Sequence, residues 1–233
     1  MTIGNASAHP TAPSRGMDER LVEATLELIA EEGSSLSVNL RQVSRRVGCA
    51  HTNVYNYFDS YRDLQWAVFR RALRVYGEHL IDGLDAGMPA DGYLRRVIAN
   101  LAAFPRQNPG LYRFVGSDPL EPETIPADII ETVTAMKRWF TATVAAAAGP
   151  GVRETDAGDT ADIVLAYIDG ETLNLINGRT IPDEDLAGRV EANAMRLFAL
   201  LVADVRPRRS RRLAASPPPE PASILGIGTN AAS

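Results

Sequence analysis

The side chains best suited to chemistry lie between Asn39 and Phe58, on what reads as two short helices meeting at Gly48. Asn39 can cap the first helix, and Gln42 three residues on completes an asparagine version of the capping box. Leu40, Val43 and Val47 recur at helical spacing and give that helix one apolar stripe. Gly48 stands where a helix end wants a left-handed residue. In the second helix Val54 and Phe58 are four residues apart and face inward. At about 100° per residue, Thr52 and Asn56 then point outward, with Asn53 and Tyr55 on the flanks. No acidic residue interrupts this face before Asp59. Its short polar tips suit base edges and its phenols suit phosphates, which is the chemistry of a helix lying in a DNA major groove.

Other chemistries lack their residues. There is no glycine-rich phosphate loop, no Gly-x-Ser-x-Gly and no Cys/His cluster, and His9, His51 and His79 have no ligand spacing. The expectation is a non-enzyme with no metal and no cofactor. Cys49 is the only cysteine, so no internal disulfide is possible and a reducing cytoplasm is expected. The first residues carry no apolar signal region, the sequon at Asn5 is taken as meaningless, and no apolar run reaches the ~18 residues that span a bilayer. The partners expected are therefore nucleic acid and not membrane. A net charge of −5 argues against a non-specific DNA coat, but Arg41, Arg45, Arg46, Arg62, Arg70, Arg71 and Arg74 cluster locally, which is what phosphate attraction requires.

The elements that must position this unit are all helical. With 233 residues the chain can bury a real core. A first helix is expected from Asp18 to Glu32, with Leu21, Thr25, Leu28 and Ile29 inward and a glutamate row (Glu19, Glu23, Glu27, Glu31) read as its solvated face. Ser60 caps a long helix from Tyr61 to Leu84, apolar on more than one side, the mechanical link between the DNA-reading unit and a second domain. Further helices are expected over Ala90–Gln107, bent or ended near Pro105, from Pro109 to Val115, Ala127–Ala148, Thr160–Asn177 and Asp183–Val205. The domain division is a tail over 1–16, a reading domain over 17–64, a helical regulatory and dimerisation domain over 65–205, and an Arg/Pro-rich tail over 206–233. Arg15 could enter a minor groove and the Arg206–Arg212 stretch could touch DNA; for both, a solvated tail is the plainer reading.

On the penultimate helix Ala166, Gly170, Asn174 and Gly178 fall every four residues, and on the last helix Val190, Ala194, Leu197 and Leu201 form a seam. These stripes either pack within one subunit or form half of a four-helix homodimer interface; the dimer is favoured, because two reading units match a palindromic site. Phe104, Tyr112, Trp139 and Tyr167, with Asn174 as a polar contact, are candidates for a small-molecule site, although aromatics at helical spacing also make ordinary core. Asn100, Asp169 and Glu171 are further polar candidates.

The stretch Arg41-x-Val43-Ser44-x-x-Val47-Gly48-Cys49-Ala50-x-x-x-Val54-Tyr55-x-Tyr57-Phe58, followed by Leu64, resembles the helix-turn-helix signature of TetR-type transcriptional regulators. The resemblance is close from Met17 to Leu84 and elsewhere extends only to helix order and length. It implies an all-α protein: an N-terminal three-helix helix-turn-helix domain joined by a long helix to a C-terminal helical ligand-binding and dimerisation domain. The implied function is a homodimeric repressor that binds a double-stranded DNA operator and is released by a small-molecule effector. In the matched positions Arg41, His51, Thr52 and Asn53 would face base edges, while Tyr55, Asn56, Tyr57, Tyr61 and Arg62 would hold phosphates. Geometry by itself puts His51 and Tyr57 nearer the packed side. The family's phosphate-gripping lysine three residues after the phenylalanine is replaced here by Tyr61, with Arg62 beside it. The alternative keeps the fold and makes the C-terminal domain a protein-interaction module with no effector.

Overall fold

The structure, a computed structural model, describes residues 16–119, 125–179, 185–206 and Pro219. Eight α-helices follow one another among these: α1 (Met17–Glu32), α2 (Leu40–Val47), α3 (Tyr61–Leu80), α4 (Ala90–Gln107), α5 (Pro109–Gly116), α6 (Ala127–Ala148), α7 (Glu154–Ile176) and α8 (Leu186–Val205). Two short 3₁₀ turns, Ser35–Ser37 and His51–Asn56, flank α2. No helix among the described residues is long and apolar enough to cross a membrane.

Local chemistry sets the ends near the reading unit. The Asn39 side chain accepts from the backbone of Arg41 and Gln42, and Gln42 Oε1 accepts from Asn39 N–H at 2.8 Å, so both halves of the capping box form. Such a cap is worth about 1 kcal/mol. Gly48 closes α2 with φ 78°, its N–H and that of Cys49 returning to Ser44. Ser60 caps α3 by accepting from Asp63 N–H.

Distant partners set other ends. The α3 helix stops at Leu80, four residues short of the expected Leu84, because Asn100 on α4 donates to the carbonyls of Leu80 (3.0 Å) and Asp82 (2.9 Å). Asn100 is thus a helix cap and not a ligand contact. The α4 helix runs through Pro105 to Gln107. The α7 helix starts at Glu154, six residues before the expected Thr160; Glu154 and Asp156 in its first turn suit the helix dipole. The last helix starts at Leu186, and Asp183 and Glu184, expected in its first turn, lie outside the described residues.

Two apolar cores result. One gathers Leu21, Ile29, Val43, Val54, Leu64 and Val68 with Phe104, Leu111, Tyr112 and Phe114, so α5 packs inside the core of the reading unit. The other gathers Leu94, Val97, Val144, Val164, Ile168, Val190 and Ala194 from α4, α6, α7 and α8. Val190 and Ala194 are therefore interior residues, a correction to their expected place at a dimer seam: the same four-residue spacing here serves α4 and α7 of the same subunit. Of the expected tails only Gly16, Arg206 and Pro219 are among the described residues. Arg206, at the start of the basic stretch, donates to the Ala148 carbonyl and closes α6.

Candidate nucleic-acid interface

The segment after Gly48 is a 3₁₀ turn, His51–Asn56, and not an α-helix. Its residues (His, Thr, Asn, Val, Tyr, Asn) are weak helix formers, and Ala50 offers no side-chain cap. In a 3₁₀ turn side chains three apart align. Asn53 and Asn56 accordingly share an edge and bond to each other, Asn56 Nδ2 donating to Asn53 Oδ1 at 2.6 Å. Val54 is the buried anchor at 1% exposure, with Phe58 partly buried beside it. His51, Thr52, Tyr55, Asn56 and Tyr57 are exposed, and Asn53 is half-buried. His51 and Tyr57 thus stand in solvent, not on the packed side where an α-helical period would put them.

Arg41, on the first turn of α2, is exposed and shares this side of the unit in sequence; neither it nor Arg45 has an ion-pair partner among the described residues. Other arginines of the basic cluster are already neutralised. Arg46 bonds Glu31 at 2.6 Å and Glu27 at 3.4 Å, and its hydrogen bond holds the Glu31 carboxyl below the usual range. Arg71 pairs with Glu23 at 2.7 Å, and Arg70 with Asp128. The glutamate row of α1 is therefore a clasp for α2 and α3, not an idle solvated face. Arg20 adds a bond to the Val47 carbonyl at the end of α2.

Tyr61 faces inward. Its hydroxyl donates to the Val38 carbonyl at 3.0 Å, and burial pushes its pKa up. With its one proton used inside the fold, Tyr61 is a brace of the reading unit and not a phosphate donor. Arg62, beside it, is exposed.

Behind the reading unit a cavity of about 280 Å³ opens between α3, α4, α5, α6 and α7. Tyr112 and Trp139 line it, as expected; Tyr76, Met136 and Asp169 also do. Phe104 does not: it is fully buried against Tyr76 and His79. Tyr167 and Asn174 also lie off the cavity: Tyr167 is half-buried against the core of α4, α6, α7 and α8, and Asn174 is exposed. Tyr112 OH donates to Asp169 Oδ1 at 2.6 Å and lies 3.1 Å from Thr172 Oγ1. Burial raises the pKa of Asp169, partly offset by that bond, and burial beside Asp169 raises the pKa of both Tyr112 and Tyr76. The indole N–H of Trp139 is buried with no partner among the described residues. Tyr76 was hard to single out in the sequence, since it is one of several apolar side chains on the broad inward surface of α3.

On the outside, Ala166, Gly170, Asn174 and Gly178 form an exposed stripe on one side of the α7 end of the molecule, and a Cβ at Gly170 would meet nothing within 4 Å. Ile163 on α7 (45% exposed) and Leu200 on α8 (62%) are exposed large apolar side chains, while Leu197 and Leu201 are half-buried. Among the described residues no group of His, Cys, Asp and Glu could hold a metal ion.

No protein-family profile matches the chain, and no curated protein matches it. Solved structures do. A TetR-like transcriptional regulator from Rhodococcus sp. RHA1 superposes with a TM-score of 0.59 at 14% identity, covering 81% of this chain and 99% of the other. A TetR-family transcriptional regulator from Streptomyces coelicolor gives 0.61 at 16% identity over 80% and 83%. A TetR variant from Acinetobacter baumannii AYE, in complex with minocycline, gives 0.55 at 14% identity over 83% and 100%. The fold of this chain is that of the TetR-like transcriptional regulators.

Proposed function

We propose that the chain is a cytoplasmic, homodimeric DNA-binding repressor whose operator affinity falls when a small molecule fills the cavity between α3 and α7. The observation that carries this reading is the exposed, acid-free face from Arg41 to Tyr57, held rigid by the capping box, the Gly48 turn and the Val54 anchor. Arg41, His51, Thr52 and Asn53 read base edges; Tyr55, Asn56, Tyr57 and Arg62 hold phosphates. The Asn53–Asn56 hydrogen bond orients both amides before DNA arrives, and it must be exchanged or shared on contact. The cavity supports a small-molecule effector over a pure protein-interaction module, as does the minocycline complex of a protein with this fold.

Selection of bound fragments from random DNA by the purified full chain tests the reading. A two-fold symmetric motif is expected. Asn53→Ala should relax preference at one or two base pairs of each half-site and cost about 1–3 kcal/mol of specific binding. An unchanged motif for Asn53→Ala would refute this assignment of the reading edge, and no enriched motif at all would refute sequence-specific binding.

A further inference from the structure

The cavity has a chemical polarity that narrows what it takes. Its walls are apolar and aromatic: Leu73, Leu101, Trp139 and Phe140 from three helices, with Tyr76 and Tyr112 at the side of Asp169. The carboxyl of Asp169 is the acidic group among the lining residues. Its one side-chain hydrogen bond comes from Tyr112, and no cation pairs with it among the described residues. Lys137 also lines the cavity, but its side chain is 61% exposed and its Nζ lies 3.0 Å from Asp162 Oδ1. The lysine charge is therefore spent at the rim, where Val133 and Gly116 are exposed too and mark the opening between α5 and α6. Inside stands one carboxyl group, partly buried, among aromatic faces. A buried anion without a counter-ion costs free energy that an incoming cation recovers. Aromatic faces attract the same cation through their quadrupoles.

We propose that the cavity binds an organic cation, an ammonium group on a hydrophobic body, with the ammonium donating to Asp169 beside Tyr112 and the body lying against Trp139, Phe140 and the leucines. This rests on reading the cavity as the effector site, and it names the chemical class of effector. Asp169 and Glu171 were both polar candidates in the sequence; the place of Asp169 in the cavity next to Tyr112 and the pairing of Lys137 elsewhere single it out.

Three probes of one shape test it: biphenylmethylamine, biphenylmethanol and biphenylcarboxylate, titrated into the full chain by calorimetry without DNA at neutral pH. The amine is expected to bind at least about tenfold more tightly than the alcohol, and the carboxylate more weakly than either. Asp169→Asn should remove the amine's advantage. An alcohol or carboxylate that binds as tightly as the amine overturns the proposal, as does an amine preference that survives Asp169→Asn or an absence of binding by all three. If the variant fails to melt cooperatively, the ranking of the three probes on the unsubstituted chain decides. The same probes are then added to a protein–operator complex. An amine that binds but leaves DNA bound counts against effector release and leaves the cation site standing. Release by the neutral probe with equal affinity does the reverse.

Discussion

At the scale of single residues, Asp169 has a consequence for stability as well as for binding. Its carboxyl titrates near 3.9 in the unfolded chain, and burial raises the pKa in the folded protein. The hydrogen bond from Tyr112 opposes that rise without cancelling it. Between the unfolded and folded pKa values the folded state binds more protons, so stability falls as pH rises through that window. Above its folded-state pKa the carboxylate is a partly buried charge with no counter-ion among the described residues, which costs stability. Asp169→Asn keeps an acceptor for Tyr112 and removes the charge, so its melting temperature should exceed that of the unsubstituted protein at pH 7. The gain should shrink as pH falls toward about 3.9 and vanish below it. A calorimetric melting series across that range measures it, and equal melting temperatures at neutral pH would mean that the carboxylate is well solvated through the mouth of the cavity. Tyr61 illustrates the same scale from the other side. Its type and position suited a phosphate contact, and only the Val38 carbonyl 3.0 Å from its hydroxyl assigns it to the interior.

Among the elements, α5 is the unexpected part of the machinery. The long helix α3 was the expected sole link between reading unit and body, yet α5 sits in the core of the reading unit and ties it to α7 as well. Arg113 donates to the Gly33 carbonyl at the end of α1 (2.7 Å) and to the Ile176 carbonyl at the end of α7. Gly110 lets the two backbones meet: a Cβ there would stand 2.2 Å from the Ile29 carbonyl oxygen and 3.1 Å from Gly33 Cα. Tyr112, two residues on in α5, reaches into the cavity against Asp169. A ligand at Asp169 therefore touches the helix that abuts α1. Gly110→Ala must push α5 off α1, an overpacking that should cost roughly 1–3 kcal/mol by denaturant unfolding; no loss of stability would mean that this contact is soft. The contrast with α2 shows what a sequence discloses. The cap at Asn39 and the turn at Gly48 are made by neighbours a few residues apart, so both were legible. The end of α3 at Leu80 depends on Asn100, twenty residues later, and the 3₁₀ winding of His51–Asn56 shifts which side chains share an edge. The spacing on α8 was real, but spacing does not say which neighbour covers Val190 and Ala194. Most helices could be read from local pattern; of the cavity, built from five of them, Tyr112, Trp139 and Asp169 could be named, while Phe104, Tyr167 and Asn174 were placed there wrongly.

For the whole molecule, one reading unit is too small a footprint for an operator, and a two-fold partner doubles it. The surface available is the outer side of α7 and α8. Ala166, Gly170 and Asn174 present a low, exposed ridge on α7, and Ile163 on the same helix and Leu200 on α8 are large apolar side chains left exposed. Large apolar side chains gathered on one face mark an interaction surface more often than scattered ones do. Small residues on such a face let a second helix come close, and Gly170 has open space where a Cβ would be. Leu197 and Leu201, half-buried at the edge of the inner core, would be covered the rest of the way by the same partner. In the proposed dimer this face would fix the distance between the two reading units, and a change passed from the cavity through α5 and α3 would alter the fit to both half-sites together. Leu200→Glu combined with Gly170→Trp puts a charge and a bulky ring where the partner helices should meet, without touching a buried residue of the subunit. The variant should melt near the unsubstituted protein's temperature at low concentration, scatter light as a monomer at micromolar concentration, and lose specific operator affinity. If it remains a dimer, the interface lies elsewhere on the molecule; if the unsubstituted chain is itself monomeric with operator present, the two-fold reading fails.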